Sequence, residues 1–255
     1  MAKFTATHAS IAGGVLGLAI GCVVAAPASW LAKCIEVASN GQVQLHGAQG
    51  TVWNGSALLT LTGGAGSSSA LTLPSRLVWT LTPSIGSVAV ELNSTCCTAY
   101  PIRGKLTPRR FELEPAATTF PLELMQGLGA PWNSIGVAGK LELRWEKLSV
   151  SLYQGSQTVT GRIDAVASKV STKLSTLPDV GTYQLTYKGG DKPQLTVSTK
   201  EGQLLINGLG HWSAGKFSFE GTGQAKPESV AALANFLTLL GDRSGDKTKI
   251  RFGKK

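Results

Sequence analysis

The stretch Gly50-Thr51-Val52-Trp53-Asn54-Gly55, running into Ser56-Ala57-Leu58-Leu59-Thr60-Leu61-Thr62, decides how this chain is read. Two runs of β-forming residues flank an Asn-Gly pair, and both residues of such a pair reach positive φ at little cost. That combination predicts a β-hairpin turning at Asn54-Gly55. A second version lies near the other end, where Gly210-His211-Trp212-Ser213-Ala214-Gly215 leads into Lys216-Phe217-Ser218-Phe219-Glu220-Gly221. In each, Gly precedes Trp, a further Gly follows within a few residues, and an alternating strand departs. Two copies do not make a repeat architecture, but they point to a protein assembled from successive hairpins.

Working outward, the rest of the chain has the same character. Gln42 to Glu112 reads as nearly continuous short strands: Gln42–His46, Gly50–Trp53, Ala57–Thr62, Arg76–Leu81, Ser87–Leu92 and Leu106–Glu112. Gly63 to Ser69 is a loop, and a turn at Pro83-Ser84 separates two of the strands. Thr and Ser fill alternate positions, so each strand has one apolar and one wet face. Phe120 to Leu128 predicts a short helix opened by Pro121 and closed by Pro131-Trp132. A second β block follows from Gly136 to Ser168. In it Leu141, Leu143 and Trp145 share one face, while Lys140, Glu142 and Arg144 share the other, set for cross-strand ion pairs. Thr182–Lys188 and Gln194–Thr199 pair around Gly189-Gly190-Asp191, and Gly202–Asn207 and Trp212–Gly221 close the sheet. Pro227 to Gly241 predicts a helix whose Val230, Leu233, Leu237 and Leu240 cover an open end of the sheet. Lys249–Phe252 predicts a last strand.

Composition agrees with this. The chain has 255 residues, 31 of them Gly, and a formal charge of +9 that is concentrated after residue 100. Solvated strand faces account for most of the basic residues. Lys247, Lys249, Arg251, Lys254 and Lys255 form the group best suited to anionic headgroups or acidic partners. Aromatic residues do not interleave with basic ones as a single-strand nucleic-acid platform needs, so nucleic acid is excluded as a partner.

From Phe4 to Ala32 no residue is charged, and Ile11 to Ala26 is apolar throughout. The run approaches the roughly 20 residues of a membrane-crossing helix only with its flanks included. Two readings stay open: a transmembrane anchor over 9–30, with 1–8 as a cytoplasmic tip and Trp30 in the interfacial belt, or a signal peptide cut near Ala26-Pro27-Ala28. Either one delivers residues 31–255 across a membrane. Beyond that boundary lie Cys34, Cys96 and Cys97. A bond between adjacent Cys96 and Cys97 closes an eight-membered ring, so Cys34 with one of them is the expected pairing.

No catalytic, metal-binding or cofactor-binding motif emerges. His211-Trp212-Ser213-Ala214-Gly215 lacks the first Gly of a nucleophile elbow and precedes a strand where a helix is required. No phosphate loop, dinucleotide fingerprint or paired-cysteine metal motif occurs. The Trp residues at 53, 79, 145 and 212 each fall in an alternating strand and are expected to anchor the core. The expectation is a non-enzyme with no cofactor.

One set of residues is more specific. After the apolar segment come Gly47-x-x-Gly50-Thr51-Val52-Trp53-Asn54-Gly55, Trp79, Gly139-Lys140-Leu141-x-Leu143-x-Trp145, Pro178-Asp179-Val180-Gly181-Thr182-Tyr183, and Gly202-Gln203-Leu204-x-Ile206-x-Gly208-x-Gly210-x-Trp212. This pattern resembles the type II secretion system protein N family over nearly the whole chain. Gly50, Trp53, Asn54, Gly55, Trp79, Trp145, Gly210 and Trp212 are the signature positions. The resemblance implies a bitopic inner-membrane protein with a periplasmic, antiparallel and strongly curved β domain, one short mid-chain helix and one C-terminal helix. It also implies an accessory role in exporting folded proteins, by contact with inner-membrane components of the machine or with the outer-membrane secretin. The competing expectation is a periplasmic protein whose open apolar sheet face binds or transfers lipid.

Overall fold

The computed structural model describes residues 6–152, 158–213 and 215–253. Phe4, Ala214, Lys254 and Lys255, all used in the sequence reading, lie outside that set. Two α-helices come first, α1 (Ala6–Val24) and α2 (Ala28–Ala38). The first-half strands are β1 (Val43–Gly50), β2 (Asn54–Thr62), β3 (Ala70–Thr72), β4 (Leu77–Ser84), β5 (Ser87–Ser94), β6 (Ile102–Leu106), β7 (Arg110–Leu113) and β8 (Ala116–Pro121). A 3-10 turn (Leu122–Leu128) and α3 (Trp132–Ile135) precede β9 (Ala138–Trp145), β10 (Leu148–Ser151), β11 (Val159–Thr160) and β12 (Arg162–Ser171). The chain closes with β13 (Gly181–Lys188), β14 (Gln194–Gly202), β15 (Leu204–Ser213), β16 (Lys216–Ala225), α4 (Ala234–Leu240), β17 (Asp242–Ser244) and β18 (Lys247–Phe252).

The protein is mainly β, with every strand pair antiparallel. The strands form two nine-stranded sheets, ordered β1-β2-β4-β5-β6-β7-β10-β11 with β3 beside β2, and β17-β18-β16-β15-β14-β13-β12-β9-β8. The sheets are joined at three places where a strand of one runs almost directly into a strand of the other. β7 continues into β8 through a bend at Glu114-Pro115, β9 into β10 at Glu146-Lys147, and β11 into β12 at Gly161. Because β7, β10 and β11 are neighbours in the first sheet and β8, β9 and β12 are neighbours in the second, the whole is one serial meander bent along a line.

Each bend has a local cause. Pro115 has no N–H to give to a ladder. Gly161 sits at φ +113, and a Cβ there would overlap the Lys147 carbonyl of the adjacent bend. Trp145, the last residue of β9, turns its indole N–H onto the Glu114 carbonyl at 2.8 Å, supplying a partner for a backbone group that the bend frees.

The hairpin at Gly50 is present, but it turns elsewhere than the sequence predicts. Gly50 pairs with Gly55, and Thr51-Val52-Trp53 form the loop. The Thr51 N–H donates to the Asn54 carbonyl at 2.8 Å, and the Thr51 hydroxyl accepts the Asn54 N–H at 3.1 Å. Gly50, at φ +83, takes the left-handed position, while Asn54-Gly55 opens β2. The β4–β5 turn likewise falls at Ile85-Gly86, with Pro83 inside β4 opposite Val88. β2 pairs with β4 only over Leu77–Thr80, so the missing N–H of Pro83 leaves no β2 bond unmade. In the second copy Ser213 pairs with Lys216 around Gly215 at φ +74, so that turn is where the spacing put it.

The expected mid-chain helix is a 3-10 turn followed by the four-residue α3. The expected C-terminal helix is a 3-10 turn at Pro227–Ser229 and then α4. Its predicted face is nonetheless the packed one: Leu233 and Leu237 are fully buried, and Val230 and Leu240 pack beside them. They close a core with Val180, Tyr183, Leu204 and Ala225 of the second sheet. A separate core lies under α2, where Ala28 meets Leu45, Ala57 and Trp79. A third, of Leu73, Cys97 and Leu124 with Phe120 against them, stitches the first sheet to the start of the second.

Among the described residues no helix is long and apolar enough to cross a membrane. The side chains of α1 are described from Gly13 onward, without Leu16.

Candidate functional site: the hairpin tip and the first helices

Five of the positions singled out in the sequence, Gly50, Trp53, Asn54, Gly55 and Trp79, converge. Trp79 on β4 faces Gly55 across the β2–β4 pair and is 2 % exposed. A Cβ on Gly55 would stand 2.5 Å from the Trp79 ring and 2.7 Å from the Thr51 carbonyl. Gly55 is therefore glycine because the Trp79 indole and the Thr51 carbonyl fill the space a side chain would need, not because a turn needs it. The Trp79 indole N–H donates to the Val52 carbonyl at 2.9 Å, so the ring holds the loop from beneath.

From this seat the loop reaches the first helices. The Trp53 indole N–H donates to the Val23 carbonyl at 2.8 Å, in the last turn of α1, where that carbonyl has only a long 3.4 Å bond from the Ala26 N–H. The Val52 N–H donates to the Ala26 carbonyl at 2.8 Å, and Pro27 forms a β-bridge with Thr51. The end of α1 and the segment that follows it are thus bound to the tip at three points. Arg76 braces the same hairpin, donating to the Gly47 carbonyl at 2.7 Å and the Ser56 carbonyl at 2.9 Å.

Sequence reasoning missed α2, although Ala28, Leu31, Ala32 and Ile35 carry the i, i+3, i+4, i+7 spacing of a buried helix face. The uncharged run hid it, because Trp30 read as the end of an anchor. Pro27 breaks that run instead, and Trp30 stands on the second helix.

The other three, Trp145, Gly210 and Trp212, lie in the second sheet. Trp212 packs edge-on against Tyr187 at 5.5 Å and beside Phe217 at 4.5 Å. Gly210 leaves room for Phe217, whose ring a Cβ would approach to 2.7 Å. Asp179 accepts the Gly181 N–H at 2.7 Å, and the Tyr183 hydroxyl donates to the Leu204 carbonyl at 3.1 Å. Burial, with the nearby Asp179 carboxylate adding to it, pushes the Tyr183 hydroxyl well above its ordinary range and keeps it a donor. These residues tie motif to motif.

The structure corrects the cysteine pairing. Cys96 is bonded to Cys97, with Cα atoms 3.7 Å apart, while Cys34 is free and exposed on α2. The Cys97 carbonyl accepts both the Thr118 hydroxyl at 2.6 Å and the Thr119 N–H at 2.9 Å, which fixes the bonded turn against β8.

The ion pairs on the wet faces are also partly rearranged. Lys140 pairs with Glu142 along β9 at 2.6 Å, not across strands, because the residues opposite Glu142 are Val166 and Thr119. Arg162 and Asp164 pair within β12 at 2.7 Å, and the Thr186 hydroxyl donates to Asp164 at 2.7 Å from β13. The Arg162 bond, then the Thr186 bond, hold the Asp164 carboxyl below its usual range against the opposing effect of burial. A depressed folded-state pKa gives stability that is complete above the unfolded value and disappears as pH falls through the folded one. Asp164→Asn is therefore expected to flatten the acid limb of the stability profile below the ordinary aspartate pKa. Denaturant midpoints measured from neutral pH downward check this; an unchanged acid limb would contradict it.

His211 and Ser213 are both exposed on β15, and the hydrogen bond from Ser218 goes to the His211 backbone carbonyl. One surface hollow of about 420 Å³ is lined by Arg110, Glu112, Lys147 and hydroxyl side chains of β10 and β11. Arg110 and Glu112 pair with each other there, which leaves a solvated strand face. Among the described residues no group of three or more His, Cys, Asp or Glu side chains is placed to hold a metal ion.

The profile described as "Type II secretion system (T2SS), protein N" matches residues 41–251, from the start of β1 into β18. No curated protein and no solved structure matches the chain. With the match covering the entire β body and the hairpin that grips the first helices, the chain belongs to the type II secretion system protein N family.

Proposed function

We propose that this protein is a non-catalytic accessory component of the type II secretion system, anchored in the inner membrane by α1 with its N-terminus in the cytoplasm and its β body in the periplasm. It works by contact with inner-membrane components of the machine or with the secretin. The observation that carries this reading is the attachment of an uncharged helix to a hairpin inside the region that matches the family. α1 has 19 residues, about 28 Å at 1.5 Å each, short of a hydrocarbon core of about 30 Å, so the anchor requires the bilayer to thin locally around it. Val15, Leu18, Ile20, Val23 and Val24 are each more than half exposed, which is costly in water and expected in lipid. Trp53, Val52 and Thr51 bind the end of this helix, so a partner that pulls on the sheets pulls on the anchor.

The test is made in cells. A phosphatase joined after Lys255 is expected to be active and a cytosolic reporter at the same place silent. Photocrosslinkers on exposed strand positions are expected to capture other secretion components, and loss of the gene to lower release of folded cargo. A C-terminus reporting from the cytosol, or a crosslink pattern with no secretion component in it, would refute the proposal.

A second reading draws on one specific feature. Leu92 and Ile102, Leu106 and Phe111, and Phe111 and Val150 are successive cross-strand pairs on one face of the first sheet, and all are at least partly exposed. Such a lane suits an acyl chain, and acyl chains found by mass spectrometry in the protein purified from cells would favour lipid binding.

A further inference from the structure

α2 has two faces, and the body covers one. Ala28, Leu31, Ala32 and Ile35 pack inward on the core that contains Trp79. Trp30, Lys33, Cys34 and Val37, with the same i, i+3, i+4, i+7 spacing, form the opposite stripe, where Trp30 is 59 % and Val37 69 % exposed. An indole and a valine one helical face apart, with a lysine between them, make an amphipathic surface in search of an apolar medium with a charged boundary.

The position of α2 says which medium that is. Only Ala25, Ala26 and Pro27 separate it from α1, and three residues span at most about 10 Å. The headgroup layer on each side of a bilayer is about 5–7 Å deep. The connection is not a swivel: Val23, Ala26 and Pro27 are all held by the loop Thr51–Trp53. Resting on the reading of α1 as the anchor, we propose that α2 lies along the periplasmic surface of the phospholipid bilayer. Trp30 and Val37 sink to the headgroup–acyl boundary, and Lys33 meets lipid phosphates. Trp suits that depth because its ring is apolar and its N–H is not. Lys33 now pairs with Glu36 at 2.9 Å, but both side chains are solvent-exposed and such a pair gives way cheaply. With α2 on the membrane, the hairpin tip becomes the membrane-proximal end of the body, and both sheets stand in a fixed orientation above it.

Cys34 lies on the stripe and is free, so it reports on its own surroundings. The full chain with Cys22→Ala, in nanodiscs of phosphatidylethanolamine and phosphatidylglycerol, is labelled at Cys34 with a nitroxide. Collision rates with oxygen, which concentrates in lipid, and with a soluble nickel chelate are then compared. Controls in a Cys34→Ser background carry the label at Lys200→Cys on β14 and at Leu18→Cys on α1. The expected oxygen-to-nickel ratio at Cys34 is several times that at position 200 and below that at position 18. If position 18 is in lipid while Cys34 matches position 200, α2 is in water and the inference fails, with the anchor reading intact. If position 18 also matches position 200, the anchor reading fails and this inference with it. A Cys34 label shielded from both colliders would mean that protein, as a second copy or a partner, covers the stripe, and would equally overturn the proposal.

Discussion

Trp79→Ala is expected to cost about 3–5 kcal/mol of unfolding free energy, the range for truncating a buried aromatic residue, and to free α2 from the body. Trp79 is 2 % exposed and shares its core with Ala28 of α2, Leu45 of β1 and Ala57 of β2. Its removal empties the space over Gly55, which has no side chain to fill it. The Val52 carbonyl also loses its indole partner, and Val52 is the residue whose N–H holds Ala26. Trp79→Phe separates the two contributions, since it keeps much of the ring and drops the hydrogen bond; a loss of about 1–2 kcal/mol is expected for that change. Denaturant unfolding gives both values, and limited proteolysis in the Ala25–Ser39 region reports release of α2. A Trp79→Ala protein that is as stable as the parent and equally protected there would show that the indole is not what seats the hairpin.

Gly202→Val is expected to destabilise by about 3 kcal/mol or more, through overpacking against backbone together with a disfavoured φ. Gly202 pairs with Gly181 at the start of the β13–β14 ladder, at φ +134. A Cβ on it would overlap the Gly181 Cα and lie 2.5 Å from the Val180 carbonyl. That carbonyl accepts the N–H groups of Gln203 and Leu204 at 3.0 and 3.1 Å, so the strands cannot part without breaking the entry to β15. Gly190→Ala is the comparison: it has φ +118 but no atom within 4 Å of an added Cβ. It should cost about 1 kcal/mol, the strain alone. Equal losses at the two sites, measured by thermal or denaturant unfolding, would mean that the close approach of Gly181 and Gly202 contributes nothing.

These two glycines show where a linear reading stops. Gly202 and Gly181 appear in the sequence as members of two separate motifs, and only the fold reveals that the two backbones meet too closely for either to carry a side chain. Gly55 is a similar case. Beside Asn54 it reads as a turn residue, yet its role is set by Trp79, 24 positions later. Cys34 looked like the natural partner for Cys96 or Cys97 until α2 took it onto a helix face turned away from the body.

The alternation of Leu141, Leu143 and Trp145 with Lys140, Glu142 and Arg144 needs nothing beyond the chain itself. Residues two apart share a strand face, so strand content, wet and dry sides, and most hairpin connections are local properties written in composition and spacing. The same holds for the buried face of the last helix, which Val230, Leu233, Leu237 and Leu240 announce at helical spacing. The division into two sheets is different, because the bends at Pro115, Glu146-Lys147 and Gly161 matter only when β7, β10 and β11 lie side by side. The grip of Trp53 on Val23 likewise joins residues 30 apart. Such contacts form because folding pays for chain closure with burial and hydrogen bonds at both ends, and neither end carries a local mark of the other.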